Sequence, residues 1–533
     1  MAAMRLSLGR SLRLTAPRTS LRTSPAQYCY IQLQATVTGR RALATQPTKG
    51  ETNSQGQQVG EHVADSGANK NSNASSLSND SSPASSSKSS TTLNSPPADW
   101  EDADINISKF AELPEPRFGY NQHMNIDAEF KEVLRLVPWE FDAVPYVFAY
   151  GSGVFQQSAT MKAKPSSATS IHSNPPPALV KAQGGMPKMI DFIFGVTHTQ
   201  HFHSLNLKKH RDHYSGVGSL GSGAVSAIQD NWGAGVYYNT HINCRGMLIK
   251  YGVVNINTLC KDLSEWQTLY IAGRLQKPVK ILRDHPKVRL ANQVNLISAL
   301  RTALLLLPPQ FTEQELYGTI ASISYLGDPR MSLPAEDPSK VANIVGNNLP
   351  NFRKLYSPLI ESLPNVRFSA SQSTDPDWLF DAKANHQLEQ DMDPMKRGNM
   401  VRRLPKAFRS KLYFQYQSKY EIPGVEFNKM MEDSSDESGG TIKRREGGGF
   451  ERRIASEPPE ELRTVVRGVI KKTISWPSTT QSLKGIVTAG LSKSWRYASE
   501  KLAKSKAGKH KVAEDEKANS TEKESEKEKE KSS

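Results

Sequence analysis

The apolar positions along the chain change period from one segment to the next. In "NIDAEFKEVLRLV", Ile126, Phe130, Val133, Leu134 and Val137 recur on one helical face. That spacing predicts an amphipathic helix starting near Asn125 or Asp127. "YVFAY" and "MIDFIFGV" are short apolar runs and predict two buried strands. "GAGVYYNTHINCRGMLIKYGVV" predicts two more, joined by a turn at Arg245–Gly246. "NTLCKDLSEWQTLYIAGRL" then reads as helical to about Ala272. From residue 291 the period is helical. "QVNLISALRTALLLL" stops at Pro308–Pro309, and "FTEQELYGTIASISYL" opens with Thr312 and Glu315 in capping-box spacing. "PSKVANIV" and "NFRKLYSPLIESL" follow. The expected architecture is an α/β domain over 100–290 and a mostly α domain over 291–425.

Between these segments lie stretches too poor in large apolar residues to offset chain entropy. Residues 46–99, rich in Ser, Asn, Gly and Gln, are expected to form a disordered linker. Residues 156–188 are expected to form a flexible Ser/Pro/Gly insert inside the first domain. Residues 426–460 read as a disordered acidic and Gly-rich insert, and 509–533 as a disordered charged tail.

Charge changes the picture at one end only. Residues 1–50 carry Arg5, Arg10, Arg13, Arg18, Arg22, Arg40, Arg41 and Lys49 with no acid, which leaves +7 of the net +15 for the rest. A mildly basic remainder does not call for a nucleic-acid partner. An Arg- and Ser-rich, acid-free start without a long apolar core predicts a mitochondrial presequence over 1–45, with "GRRALATQ" resembling a processing site. Cys29 would leave with it. Cys244 and Cys260 make no CxxC pair, as expected in a reducing compartment. No run of 18 apolar residues is present to span a membrane.

Candidate chemistry begins where "YVFAY" meets Gly151–Ser152–Gly153. Bare glycines let successive N–H groups cradle an anion, and the serine hydroxyl adds a donor. The same residues could form a plain tight turn. Asp191 sits among apolar residues in "MIDFIF", where a carboxylate needs a cation or an ion pair. A strand ending in Gly-Ser followed by a strand bearing an acid resembles the nucleotidyltransferase superfamily. There the Gly-Ser backbone holds nucleotide phosphates and the acid holds Mg2+. Two features depart from that pattern: Ile193 occupies the usual second acid position, and Ser152 lies 39 residues before Asp191. A loop insertion accounts for the gap at little thermodynamic cost. Asp262 is the expected source of a further metal ligand.

The motifs "FAYGSGVF", "DFIFGV", "LNLKKHRDHYS", "WGAGVYYN", "IKYGVV", "LYIAGRLQKPVKIL" and "SLKGIVTAGLSKSW" occur in this order. Together they resemble the mitochondrial translocator-assembly-and-maintenance family of CDP-diacylglycerol synthases, in a fungal-type form with a long low-complexity segment. The resemblance covers about 105–425 and 460–505. It implies a nucleotidyltransferase-like domain, a winged-helix-like second domain and a C-terminal membrane-binding helix. It also implies conversion of CTP and phosphatidic acid to CDP-diacylglycerol and pyrophosphate. The implied place is the matrix face of the mitochondrial inner membrane, as a peripheral protein feeding cardiolipin biosynthesis.

Residue roles follow as expectations. Ser152, Asp191 and Lys250 are the catalytic candidates. Tyr150, Gly151, Ser152, Gly153, Arg274, Lys277 and Lys280 are the nucleotide-binding candidates, and Asp191 and Asp262 the metal ligands for Mg2+. Lys250 could instead serve a structural ion pair, and the "GRLQKPVK" cations a surface patch. The histidines of "THTQHFHSLNLKKHRDH" lack a zinc pattern and are expected at the surface or near phosphate. Over 461–508 a basic amphipathic segment is expected. There Leu483, Ile486, Val487, Leu491, Trp495 and Leu502 would face anionic inner-membrane lipids, with Lys484, Lys493 and Arg496 on the polar side. The alternative is a helix packed on the second domain. A nucleotidyltransferase acting on a non-lipid substrate and a non-catalytic import or assembly factor are the competing functions.

Overall fold

A computed structural model describes residues 107–157, 171–184, 187–332, 339–369, 376–433 and 448–489. The segments expected as a presequence (1–45), a linker (46–99) and a charged tail (509–533), and the residues Leu491, Trp495 and Leu502, lie outside these. The short apolar runs form the four expected strands, β1 (Tyr146–Tyr150), β2 (Ile190–Val196), β3 (Val236–Cys244) and β4 (Met247–Asn255), and there is a fifth that the sequence pattern does not predict, β5 (Lys280–Arg283). They make one sheet ordered β3-β4-β2-β1-β5. β1 pairs antiparallel with β2 and β5, β4 pairs antiparallel with β3, and β2 runs parallel to β4. The β3–β4 turn falls at Arg245 and Gly246, both left-handed at φ 49° and 80°, as a two-residue hairpin requires.

Both faces of the sheet are covered, which is why its strands read as unbroken apolar runs. Helix α1 (Ala128–Leu136) starts where Asp127 accepts a hydrogen bond from the Phe130 N–H. It buries Phe130 and Leu134 against Val147, Phe192 and Phe194 on one face. The connection from β2 to β3 holds α2 (Thr199–Lys209) and α3 (Gly221–Asn231). On the other face, Tyr146, Phe148, Ile193 and Val254 meet α4 (Ile256–Glu265) and α5 (Pro286–Leu306). α5 is buried at every position except Lys287, so it is a central helix and not a surface one.

The helical remainder packs on α5. The expected capping box at Thr312 and Glu315 opens α6 (Glu313–Ile323), and α7 (Leu349–Glu361) follows. Between them a fully buried ion pair forms, Arg353 Nη2 to Glu313 Oε2 at 2.9 Å. A small antiparallel sheet joins β6 (Gln310–Thr312), β7 (Val366–Phe368) and β8 (Gln387–Gln390) in the order β6-β8-β7. α8 (Lys406–Lys419) and the long α9 (Pro459–Ala489) complete the described elements used below. One apolar core runs from Ile107 through Ile474.

Three local expectations change. The helix expected to reach Ala272 breaks at Trp266, whose φ is 58°, and resumes only at Ala272–Leu275. The 156–188 insert contains a helix, Pro177–Ala182, with Leu179 buried. Within 426–460, helices Gly424–Asp433 and Gly449–Ala455 are present. Phe427 and Ile454 are buried there, because scattered apolar residues found a tertiary core that local composition does not reveal.

Candidate active site

The β1–β2 register sets the site. Tyr150, the last residue of β1, lies opposite Asp191. The chain then turns at once: Gly151 has φ 80°, and its carbonyl accepts from the N–H groups of Val154 (3.0 Å) and Phe155 (2.9 Å). A Cβ on Gly151 would stand 3.6 Å from Asp191 Oδ2, and one on Gly153 would stand 2.5 Å from the Met189 carbonyl oxygen. Ser152 is therefore held between two points of β2's approach, and its side chain is exposed. The N–H groups of Ser152 and Gly153 take no partner among the described residues. Gln183 fastens the arrangement from the insert, donating to Gly153 O (3.1 Å) and Lys188 O (2.8 Å).

The parallel register places Lys250 of β4 beside Asp191, with Nζ 3.6 Å from Oδ1. Both groups are partly exposed. Lys250 Nζ also lies 4.8 Å from the centre of the Tyr238 ring. That ring lies across Gly252, where a Cβ would come within 2.6 Å of it. Arg274 comes down from the other side, its guanidinium 4.1 Å from the Tyr270 ring centre and its Nε 3.4 Å from the Tyr150 hydroxyl. Ser152, Asp191, Lys250, Tyr150 and Arg274 thus come together at one end of the sheet. Tyr238 and Tyr270 join them, and sequence reasoning missed both. The "VYYN" motif contained the only signal for Tyr238, but which of the two tyrosines faces the site depends on sheet register. The Tyr238 hydroxyl is buried with no partner among the described atoms. Burial, with Tyr150 and Tyr270 nearby, pushes its pKa well up, so it stays a hydrogen-bond donor.

A buried amide network holds Arg274 in place. Trp266 Nε1 and Gln276 Nε2 donate to Asn295 Oδ1 at 2.9 and 3.1 Å, and Asn295 Nδ2 donates to Ala272 O at 3.0 Å. Lys277 hydrogen-bonds Gly273 O and Ser324 Oγ. Burial, then Arg274 and Lys340, push its ammonium down to about 7.

Three expectations need correction. Asp262 is not a metal ligand: Oδ1 accepts from Thr268 N, Thr268 Oγ1 and Leu269 N, and Oδ2 from Ile271 N and Ala272 N. Five donors saturate the carboxylate, which organises the loop that interrupts the predicted helix. Lys280 leaves the cationic run. Its Nζ donates to Met124 O at 2.6 Å, and it lines a cleft of about 200 Å³ with Lys131, Arg135 and His123 on the α1 side of the sheet. Lys484, expected on a solvated helix face, is buried (see below). Among the histidines, His203 is a core residue bonded to Tyr214 OH and Gln229 Oε1, both at 2.8 Å, and burial lowers its pKa to about 4. His210, Asp212 and His213 bring ligand atoms within 4.8 Å of one another, but the two imidazoles lie stacked 4.6 Å apart at 7°.

The carboxylate suits a hard cation. Asp191 Oδ2 faces the bare Gly151, while Oδ1 faces Lys250. Ile193 is buried in the core, so a Mg2+ here would rest on one carboxylate, phosphate oxygens and water, a common ligand set for this ion.

A pH prediction follows from two buried lysines, Lys277 and Lys484, each lowered from 10.5 to about 7, with burial as the first cause. Between those values the unfolded chain binds more protons than the folded one, so stability rises with pH. Each lysine contributes up to about 1.4 kcal/mol per pH unit. Urea midpoints should climb from about pH 7 to 10, and the climb should flatten in the Lys277→Met/Lys484→Met variant. An equal climb in that variant would refute the assignment.

The sequence profile described as "Phosphatidate cytidylyltransferase, mitochondrial" matches residues 134–504. The chain is 37% identical over 378 residues to the mitochondrial phosphatidate cytidylyltransferase of Xenopus laevis, covering 70% of this chain and 94% of the relative. The Schizosaccharomyces pombe protein of the same name is 36% identical over 390 residues, covering 72% and 86%. The Saccharomyces cerevisiae one is 41% identical over 260 residues, covering 48% and 62%.

Proposed function

We propose the mechanism below for this chain, which belongs to the mitochondrial phosphatidate cytidylyltransferase family. The reaction joins CTP and phosphatidic acid into CDP-diacylglycerol, which supplies cardiolipin synthesis. A phosphate oxygen of phosphatidate attacks the α-phosphorus of CTP. The bond from that phosphorus to the bridging oxygen breaks, and pyrophosphate leaves with the electron pair.

Such a transfer needs alignment and neutralisation of negative charge more than covalent help. The Ser152 and Gly153 N–H groups and the Ser152 hydroxyl would hold triphosphate oxygens. Asp191 would hold Mg2+, which when bound polarises the phosphate and offsets the charge on the leaving group. Lys250, Arg274 and the Tyr238 hydroxyl would surround the reacting phosphates with donors. Lys277, one turn beyond Arg274, would meet the second anionic substrate, whose charge favours its protonated form. The observation that carries this reading is the Tyr150–Asp191 register, which sets the glycine turn over a carboxylate flanked by a lysine. The small β6-β8-β7 sheet with its helices supports a winged-helix-like second domain. No helix among the described residues is long and apolar enough to cross a membrane. A peripheral enzyme on the matrix face fits this, with Leu483, Ile486 and Val487 turned to the lipid.

The test is purified full-length chain with labelled CTP, phosphatidate-containing vesicles and Mg2+. CDP-diacylglycerol and pyrophosphate should appear together and stop when the metal is chelated. Transfer to a soluble acceptor with none to phosphatidate would overturn the assignment.

A further inference from the structure

The last part of α9 is amphipathic in the reverse sense for a helix on a water-soluble body. Ser478, Gln481, Lys484 and Thr488 are buried against the protein. Trp476, Leu483, Ile486 and Val487 point outward, exposed to 73%, 62%, 46% and 44%. At 100° per residue these four share one stripe, about 16 Å long, opposite the buried polar face. Residues 462–489 contain no Asp or Glu, and Arg467, Lys471 and Lys472 of the same helix are exposed. An apolar stripe with Lys472 on the same side of the helix and no acid in the segment matches an anionic lipid surface.

The inward polar residues bind backbone on the catalytic side of the molecule. β3 is an edge strand of the main sheet. Gln481 Nε2 donates to Val236 O at 3.0 Å, and Gln481 Oε1 accepts from Ala234 N at 3.2 Å. One side-chain amide thus satisfies the carbonyl of the first residue of the edge strand and the N–H of Ala234 just before it. Lys484 Nζ donates to Gln229 O (3.2 Å) and Trp232 O (2.5 Å), carbonyls at the C-terminal end of α3 that the helix itself leaves unpaired. The helix can approach this closely because residue 233 is glycine. A Cβ there would meet Gln481 Oε1 at 2.9 Å and the Gln481 backbone at 3.1 Å. Beside this contact the Trp232 side chain is 53% exposed.

We infer that Gln481 and Lys484 are positioning residues: they clamp the lipid-facing helix to the edge of the catalytic sheet, so that membrane contact sets the orientation of the active site toward phosphatidate. Trp476 and Trp232 extend the bilayer contact beyond the C-terminal segment and onto the catalytic body. The inference rests on the peripheral-membrane reading above. A tethered helix without the clamp would still bind the bilayer but would leave the site free to face away from it.

The experiment compares full-length wild type with Gln481→Ala/Lys484→Met and, separately, Gly233→Ala. Three quantities are read: co-flotation with phosphatidylcholine vesicles carrying phosphatidate, turnover of that vesicle-borne phosphatidate, and turnover of a short-chain phosphatidate dispersed as monomers. Both clamp variants should float within about twofold of wild type and keep short-chain turnover within about twofold. Vesicle turnover should fall about tenfold or more. Equal loss of both activities would make the residues merely structural and overturn the inference, as would unchanged vesicle turnover. Trp232→Ser and Trp476→Ser should each weaken flotation several-fold without lowering short-chain turnover, and unchanged flotation would remove them from the contact. Wild type that does not float would instead overturn the peripheral-membrane reading itself, and the clamp with it.

Discussion

Asp191→Asn should lower CDP-diacylglycerol formation by about a thousandfold or more, the scale expected when a metal-binding carboxylate at a phosphoryl-transfer site is removed. The substitution keeps the shape of the side chain and its place in β2 between β1 and β4, so the fold should survive. It removes the charge that faces both Gly151 and Lys250 Nζ, 3.6 Å away. If Asp191 served only to pair with Lys250, Lys250→Met would cause a similar loss, and the dependence of residual activity on Mg2+ would not change. If it holds the cation, the asparagine variant should need far more Mg2+, while Lys250→Met should keep the wild-type requirement. Rates over a Mg2+ titration, with thermal melts as the check on folding, decide between them. Asparagine activity within about tenfold of wild type would end the metal assignment.

Gly153→Ala should cost about a hundredfold in kcat/KM and about 1–3 kcal/mol in stability. The new methyl would lie 2.5 Å from Met189 O and 3.2 Å from Ile190 Cα, backbone atoms that cannot rotate away. Relief requires the turn and the start of β2 to separate, and the next residue of β2 is Asp191. Gly151→Ala makes the contrast. Its methyl meets nothing closer than Asp191 Oδ2 at 3.6 Å, but its φ of 80° costs a non-glycine residue about 1–2 kcal/mol. The Gly151 variant should therefore lose less activity, through backbone strain in the turn alone, while β2 stays in place. The Gly153 variant should lose it by moving the carboxylate. Activity assays beside urea unfolding separate the two, and full activity in Gly153→Ala would mean that the turn is not pinned to β2.

The sequence by itself determined strands β1 to β4, because a sheet covered on both faces requires apolar runs with no polar alternation; β5 and the β6-β8-β7 sheet, short and rich in polar residues, emerged only in the folded chain. It located the hairpin turn through Gly246, which takes a left-handed conformation at no steric cost. It placed one helix start near Asn125 or Asp127, of which Asp127 is the cap, and another at Thr312, through side-chain caps that act over three residues. The pairing of a Gly-Ser turn with a distant acid was legible only through its resemblance to nucleotidyltransferases, since each feature alone also fits a plain turn or an ion pair. Tertiary structure alone decided which polar groups were spent elsewhere. Asp262 has the composition of a ligand, yet five donors from a loop a few residues on consume its oxygens. Lys280 belongs to the same cationic run as Arg274, but strand alternation sends it to the α1 side of the sheet. Lys484 looks like one of several surface lysines until the end of α3 and the edge of β3 supply the carbonyls that bury it. Capping and periodicity act between neighbours in the chain and can be read there. Desolvation and hydrogen-bond saturation depend on how the chain folds back on itself, over a short loop at Asp262 and over more than a hundred residues at Lys280 and Lys484, and only the folded chain brings those atoms into contact.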